Sequence, residues 1–175
     1  MKLKLPLLLA IVLSIFFITG WRPNVPLFGS KPDVETMRTS LMSAVKADNT
    51  EEAIRLIKMG ADANCRTSPN GWSALHFAVR NGNVKIVEAL MQAGADPNYT
   101  GTMEGQTGSV ISLRPLILAQ ATLDLVKQIP AASMEETLHQ IGLDDPALLK
   151  SMKDPNATAR YQKVVDALTP VTTKN

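Results

Sequence analysis

The strongest constraint in this sequence is an internal repeat. Ile57 to Asn64 reads IKMGADAN and Met91 to Asn98 reads MQAGADPN, so Gly60, Ala61 and Asp62 recur as Gly94, Ala95 and Asp96 at an offset of 34 residues. The same offset carries Leu41, Ala44 and Val45 onto Leu75, Ala78 and Val79, and Leu56 onto Leu90. Self-similarity at this period marks a supersecondary unit that stacks on copies of itself. In the better copy the pattern predicts a short helix over 73–80, a break at Asn81 and Gly82, and a second helix. Val84, Val87, Leu90 and Met91 share one face of that helix, and Gly94 ends it in the left-handed conformation favoured just past a helix C-terminus.

The residues then carry a family resemblance. Asn70-Gly71, Ser73-Ala74-Leu75-His76 with Ala78, then Gly82, Ile86-Val87, Leu90 and Gly94-Ala95-Asp96 with Asn98 resemble the ankyrin repeat, with Ser73-Ala74 where Thr-Pro is usual. The resemblance implies an all-α fold, an ankyrin-type α-solenoid of about 3–4 helix-turn-helix repeats. It also implies that Leu75, His76, Ala78, Gly82, Gly60, Gly94, Asp62 and Asp96 are structural, His76 bonding within and between neighbouring turns. The copy over 41–64 lacks the Leu-His turn, as terminal capping repeats often do. Further on, Arg114-Pro115-Leu116 aligns with the start of a third repeat. Glu136 to Asp144 parallels Glu88 to Asp96 at an offset of 48, and residues 163–168 parallel 85–90. The expected repeats are therefore about 37–65, 66–98, 112–144 and 145–169, within a repeat domain over 36–170 followed by a tail at 171–175. The third begins with a long helix over 115–129, and Ser133 and Glu136 stand at capping-box spacing ahead of the next.

Charge divides the chain. All 16 carboxylates lie beyond Arg22, whereas Lys2, Lys4 and Arg22 are three of the 18 cations, so residues 23–175 carry 15 − 16 = −1. A near-neutral body of mixed charges has no electrostatic footprint for nucleic acid. Residues 5–21 (LPLLLAIVLSIFFITGW) hold no charge and come after a basic start. That is the layout of a signal peptide or a signal-anchor transmembrane helix over 1–21. The run would span roughly 26 Å as a helix, long for a signal core and slightly short for a bilayer. Both readings put the body outside the cytoplasm: membrane-anchored if the segment is retained, secreted or periplasmic if it is removed. Residues 22–35, with prolines at 23, 26 and 32, read as a tether.

Catalytic chemistry finds little material. One cysteine, Cys65, and two histidines, His76 and His139, exclude a disulfide framework and a multi-thiolate metal cage, so no metal or other cofactor is expected. No phosphate loop, zinc-protease or nucleophile-elbow motif occurs, and no small-molecule substrate is implied. The expected function is a protein–protein interaction scaffold rather than an enzyme, with an unidentified protein partner and a membrane contact through the N-terminal segment. Two alternatives remain open. One is an extracytoplasmic protector or inhibitor capping a single enzyme or toxin; the other is a thiol redox protein using Cys65.

In the ankyrin family the turn tips and the inner helices form the binding surface. By that resemblance Thr67, Ser68, Pro69, Trp72, Tyr99, Thr100, Met103 and Glu104 sit on tips, and Phe77, Arg80 and Asn81 on an inner helix. Trp72 reads either as an exposed anchor or as a cover for apolar surface of an adjacent repeat. Residues 99–112, too long for a plain turn, predict a β-hairpin finger or a mobile loop.

Overall fold

The computed structural model describes residues 33–68, 71–104, 110–140 and 145–172, with the side chains at 103, 104, 111 and 170–172 left aside. The apolar run at 5–21, most of the expected tether and the tail from 173 lie outside the described residues. Among those described there are eight helices and one two-stranded sheet.

Helix α1 (Val34–Lys46) starts two residues inside the expected tether because Asp33 caps it. The Asp33 carboxylate accepts from the Thr36 amide at 2.8 Å and from its hydroxyl at 2.7 Å. Those bonds hold the Asp33 pKa below the usual carboxylate value. Just past the helix, Asp48 with φ of 58° makes the left-handed turn that Gly82 makes one repeat later with φ 63°. Asp tolerates this region better than most side chains. Helix α2 (Thr50–Lys58) is capped by Asn49, and its counterpart α4 (Val84–Gln92) by Asn83. Gly60 and Gly94 come next, with φ of 88° and 85°. Helix α3 (Ala74–Arg80) buries every residue from Ala74 to Val79.

Strands β1 (Gly101–Glu104) and β2 (Val110–Leu113) pair antiparallel, from Gly101 opposite Leu113 to Glu104 opposite Val110. The 99–112 segment thus takes the hairpin form. Helix α5 (Pro115–Gln128) comes after it with proline in its first turn, where the missing N–H costs nothing. Then come α6 (Met134–Gln140), α7 (Pro146–Met152) and α8 (Ala157–Thr172).

Packing corrects the expected repeat boundaries after residue 112. Helices α1, α3 and α5 lie side by side as one row, and α2, α4 and α8 form the other, with α5 packed along α8. The third helix pair is therefore α5 with α8, and α6 and α7 are an insertion within its turn, so 112–144 and 145–169 are not separate repeats. Length gives the reason. At about 1.5 Å per residue, 14-residue α5 extends roughly 21 Å, beyond the reach of seven-residue α6. The 16 residues of α8 suffice, and Ala157, Tyr161, Val164 and Leu168 share its buried face at helical spacing. Val164 and Leu168 join the main core with Leu90, Leu118 and Ala119. Met134, Leu138, Leu148 and Met152 form a second cluster with Leu123 and Tyr161.

The insertion is fastened to the turn after α3. Tyr161, fully buried, donates from its hydroxyl to the Arg80 carbonyl at 2.7 Å and is paired with the Ser151 hydroxyl, which reaches the same carbonyl at 3.2 Å. Burial pushes the Tyr161 phenol up to about 12. The Arg80 guanidinium meets the Asp145 carboxylate at 3.1 Å. Gly82 lies against the Tyr161 ring, where a β-carbon would come within 3.1 Å of Cζ. Replacing Tyr161 by Ala should therefore cost about 3–5 kcal/mol. Tyr161→Phe, which removes only the hydroxyl, should cost about 1 kcal/mol. Urea midpoints for the two variants test this; an Ala variant as stable as the parent would contradict the packing.

Candidate functional site

The candidate surface is built at the end of the helix pairs opposite the α3–α4 turn. Residues 65–74 fold back on themselves: the Thr67 amide donates to the Trp72 carbonyl at 3.1 Å and the Ala74 amide to the Cys65 carbonyl at 3.0 Å. Gly71 then bridges to Thr102 of β1, and the Tyr99 hydroxyl donates to the Gly71 carbonyl at 3.2 Å. The two fingers lie in contact because Gly101 has no side chain. A β-carbon there would sit 3.1 Å from both the Trp72 Cα and the His76 ring.

His76 joins the fingers. Its Nδ1 accepts from the Ser73 amide at 3.3 Å and pairs with the Ser73 hydroxyl at 2.8 Å, which fixes the proton on Nε2 for donation to the Leu113 carbonyl at 2.9 Å. Burial lowers the His76 pKa below its ordinary value, partly opposed by the bond to Leu113. The imidazole is a neutral structural link from one repeat to the next.

Several expected contact residues are not surface residues. The exposed-anchor reading of Trp72 is corrected: it is 3% exposed, stacked on His76 at 5.5 Å and edge-on to Phe77 at 5.6 Å, and so covers apolar surface. Phe77 is 7% exposed, beneath the cations of Lys46 and Arg80, each 5.0 Å from its ring centre. Arg80 is engaged by Asp145. Asn81 is buried because its side-chain amide donates to the Val45 carbonyl of the preceding repeat at 2.9 Å. The bulk and polarity that suggested contact with a partner serve contact between repeats. Thr67 and Ser68 are exposed on the first finger, Thr100 is exposed at the base of the second rather than on its tip, beside the Gly101–Leu113 pair, and Tyr99 is half-buried with the Arg66 guanidinium 3.9 Å from its ring centre. Met103 and Glu104 are on β1, their side chains among those left aside, and Pro69 lies outside the described residues.

The motif residues hold the stack. Leu75 and Ala78 are fully buried. Asp62 and Asp96 each accept the amide two residues on, from Asn64 and Asn98, at 2.9 Å. Asn64 itself brackets the next repeat, donating to the Gly94 carbonyl at 3.0 Å and accepting from the Asp96 amide at 2.8 Å. Cys65 is 1% exposed, and burial, with Asp62 adding to it, pushes its thiol up to about 11. It is protonated at neutral pH, the opposite of a reactive thiolate. His139 is exposed on α6, whose Met134 and Leu138 are buried.

Sequence reasoning missed a groove between α1 and the first finger, lined by Glu35, Arg38, Thr39, Met42, Ser43, Lys46, Arg66 and Thr67. A signal was present. The offset of 34 maps Lys46 onto Arg80, so both inner helices end in a cation, and both cations face Phe77.

Comparison with known proteins agrees with the first two helix pairs, α1 to α4. Residues 24–100 match the family described as ankyrin repeats (3 copies). The chain is 48% identical over 59 residues to a mitochondrial disaggregase of Bos taurus, an alignment covering 34% of this chain and 9% of that one. It is 40% identical over 75 residues to a 2-5A-dependent ribonuclease of Mus musculus, covering 43% and 10%. It is 28% identical over 100 residues to ankyrin repeat domain-containing protein 40 of Mus musculus, covering 56% and 28%. The chain thus spans only a small part of these relatives, and the activities in their names belong to them.

The His76 link makes a signed pH prediction. Because its folded pKa lies below 6.5, the link's contribution is complete above that value and is lost as pH falls below it, where the unfolded chain takes up a proton that the folded one resists. The urea midpoint should fall further between neutral and mildly acidic pH in the parent than in His76→Gln. Equal falls would contradict the buried neutral imidazole.

Proposed function

The chain carries ankyrin repeats across residues 24–100, and on that premise we propose that it is a protein-binding module held outside the cytoplasm by its N-terminal membrane segment. One observation carries the binding half of this reading. The two fingers are fixed to each other and to the inner helices by His76, Tyr99 and the Gly71–Thr102 bridge, so the exposed residues Thr67 and Ser68 on the first finger and Thr100 at the base of the second are presented without further ordering. A surface already in place loses little conformational entropy when a partner docks. Among the described residues no group of His, Cys, Asp or Glu is arranged to hold a metal ion, and the buried thiol offers no nucleophile.

The membrane half rests on the sequence. Lys2 and Lys4 precede the uncharged run at 5–21, which favours a cytoplasmic N-terminus and export of residues 23–175. No helix among the described residues is long and apolar enough to cross a membrane, so attachment depends on that run.

Photo-crosslinkers placed at Thr67 and Thr100, compared with one at Glu88 on the outer row, test the reading in native membranes. The expected result is a single stoichiometric adduct from the finger positions and none from Glu88, with the intact mass of the membrane-bound chain retaining residues 1–21. Adducts from Glu88 alone, or none, would contradict recognition at the fingers. Loss of 1–21 would replace the anchor by a removed signal.

A further inference from the structure

We propose that the groove between α1 and the first finger receives an acidic segment of a partner protein, its carboxylates seated on Lys46, Arg66 and Arg38. This names the partner class for the surface proposed above and rests on that reading. Aromatic rings hold two of the cations in place. Lys46 lies 5.0 Å from the Phe77 ring centre and Arg66 lies 3.9 Å from that of Tyr99. An aromatic face attracts a cation without neutralising it, unlike a carboxylate, so the charge of both side chains stays available. Neither forms an ion pair with any carboxylate among the described residues. Arg80, also 5.0 Å from the Phe77 ring centre, is different: Asp145 neutralises it at 3.1 Å.

Arg38 adds a third cation to the groove, which holds one carboxylate, Glu35, at 3.6 Å from Arg38 with both side chains well exposed. The adjoining depression shares Arg38 and Arg66 and adds Asp62, whose carboxylate already accepts from the Asn64 amide. The lining of the groove proper is thus +2, three cations against one carboxylate, in a body whose residues 23–175 sum to −1. Local charge of this kind selects and steers an oppositely charged partner. The residues N-terminal to α1 are poor occupants, since 22–32 carry Arg22 and Lys31 and no carboxylate. The site is a recess between a helix and a finger, floored in part by Met42. An extended peptide can enter it, whereas a flat bilayer surface meets only its rim.

The test uses the full chain in detergent and a short fluorescent peptide of alternating Glu and Ala, beside its Gln and Ala counterpart. The acidic peptide should bind about tenfold or more tightly than the neutral one, with affinity falling as salt is raised. Lys46→Glu with Arg66→Glu should reduce binding about tenfold or more. Lys46→Gln with Arg66→Gln, gentler on the fold, should give an intermediate loss, and Lys85→Glu with Lys163→Glu on the outer row no loss. Equal binding of the two peptides, no binding of either, or indifference to the Lys46 and Arg66 changes would overturn the proposal. So would anionic phospholipid vesicles that bind with the same dependence on Lys46 and Arg66, which would assign the groove to a membrane. Adducts from Thr67 and Thr100 without acidic-peptide binding would leave the binding module standing and remove this inference. Peptide binding without any native adduct would do the reverse.

Discussion

No helix pair in this chain can bury its own apolar face, and the rest of the fold depends on how each pair lends that face to the next. A pair of short helices has two sides, and the side left open costs roughly 1.5–3 kcal/mol for each large aliphatic group kept in water. Stacking removes that cost only if the pairs meet in register. Four polar links set the register: Asn81 to the Val45 carbonyl, Asn83 to Asp48 and Thr50, Asn64 to Gly94 and Asp96, and His76 to the Leu113 carbonyl. Each joins one pair to its neighbour and is made by a side chain placed by the helix ends. The left-handed turns at Asp48, Gly82, Gly60 and Gly94 bring those ends to matching positions.

The same requirement explains the insertion. A third pair had to present an outer helix long enough to cover α4 and α5, and α8 supplies it with Tyr161, Val164 and Leu168. The residues between α5 and α8 fold into α6 and α7, bury their own small cluster, and close over the turn after α3 through Arg80, Asp145, Ser151 and Tyr161. One end of the stack is thereby occupied by the chain itself. The opposite end, with its two linked fingers, keeps exposed hydroxyls at Thr67, Ser68 and Thr100. Along the inner helices Phe77 holds two cations, of which Arg80 is neutralised by Asp145 of the insertion, whereas Lys46 forms no ion pair with a carboxylate among the described residues.

The first two pairs were legible in the sequence because their signals are local. The Asn81-Gly82 break, glycines at fixed offsets and apolar residues at helical spacing all act within a few residues of where they stand. The expected boundaries of the third pair fail because its two helices are separated by 28 residues, and Glu136 and Leu138 of the short α6 stand at the same spacing as Glu88 and Leu90 of the outer helix α4. Only the length of face to be covered distinguishes α6 from α8, and that length is a property of the stack. Trp72 and Asn81 were ambiguous for a related reason. A large aromatic or an amide beside a turn suits a partner or a neighbouring repeat equally well, and here the neighbour takes both. The 34-residue offset matches Lys46 with Arg80, but the ring that each of Lys46 and Arg66 lies against is a property of the stack that spacing does not display.

The organisation of the stack turns on α5 and α8 forming the third pair, with α6 and α7 inserted between them. Native-state hydrogen exchange resolved to single amides tests it most directly, because helices that share one cooperative core share its protection. Amides of α8 near Val164 and Leu168 should exchange as slowly as those of α4 and α5, while α6 amides exchange faster. Protection of α6 together with α5, and early exchange throughout α8, would contradict this pairing.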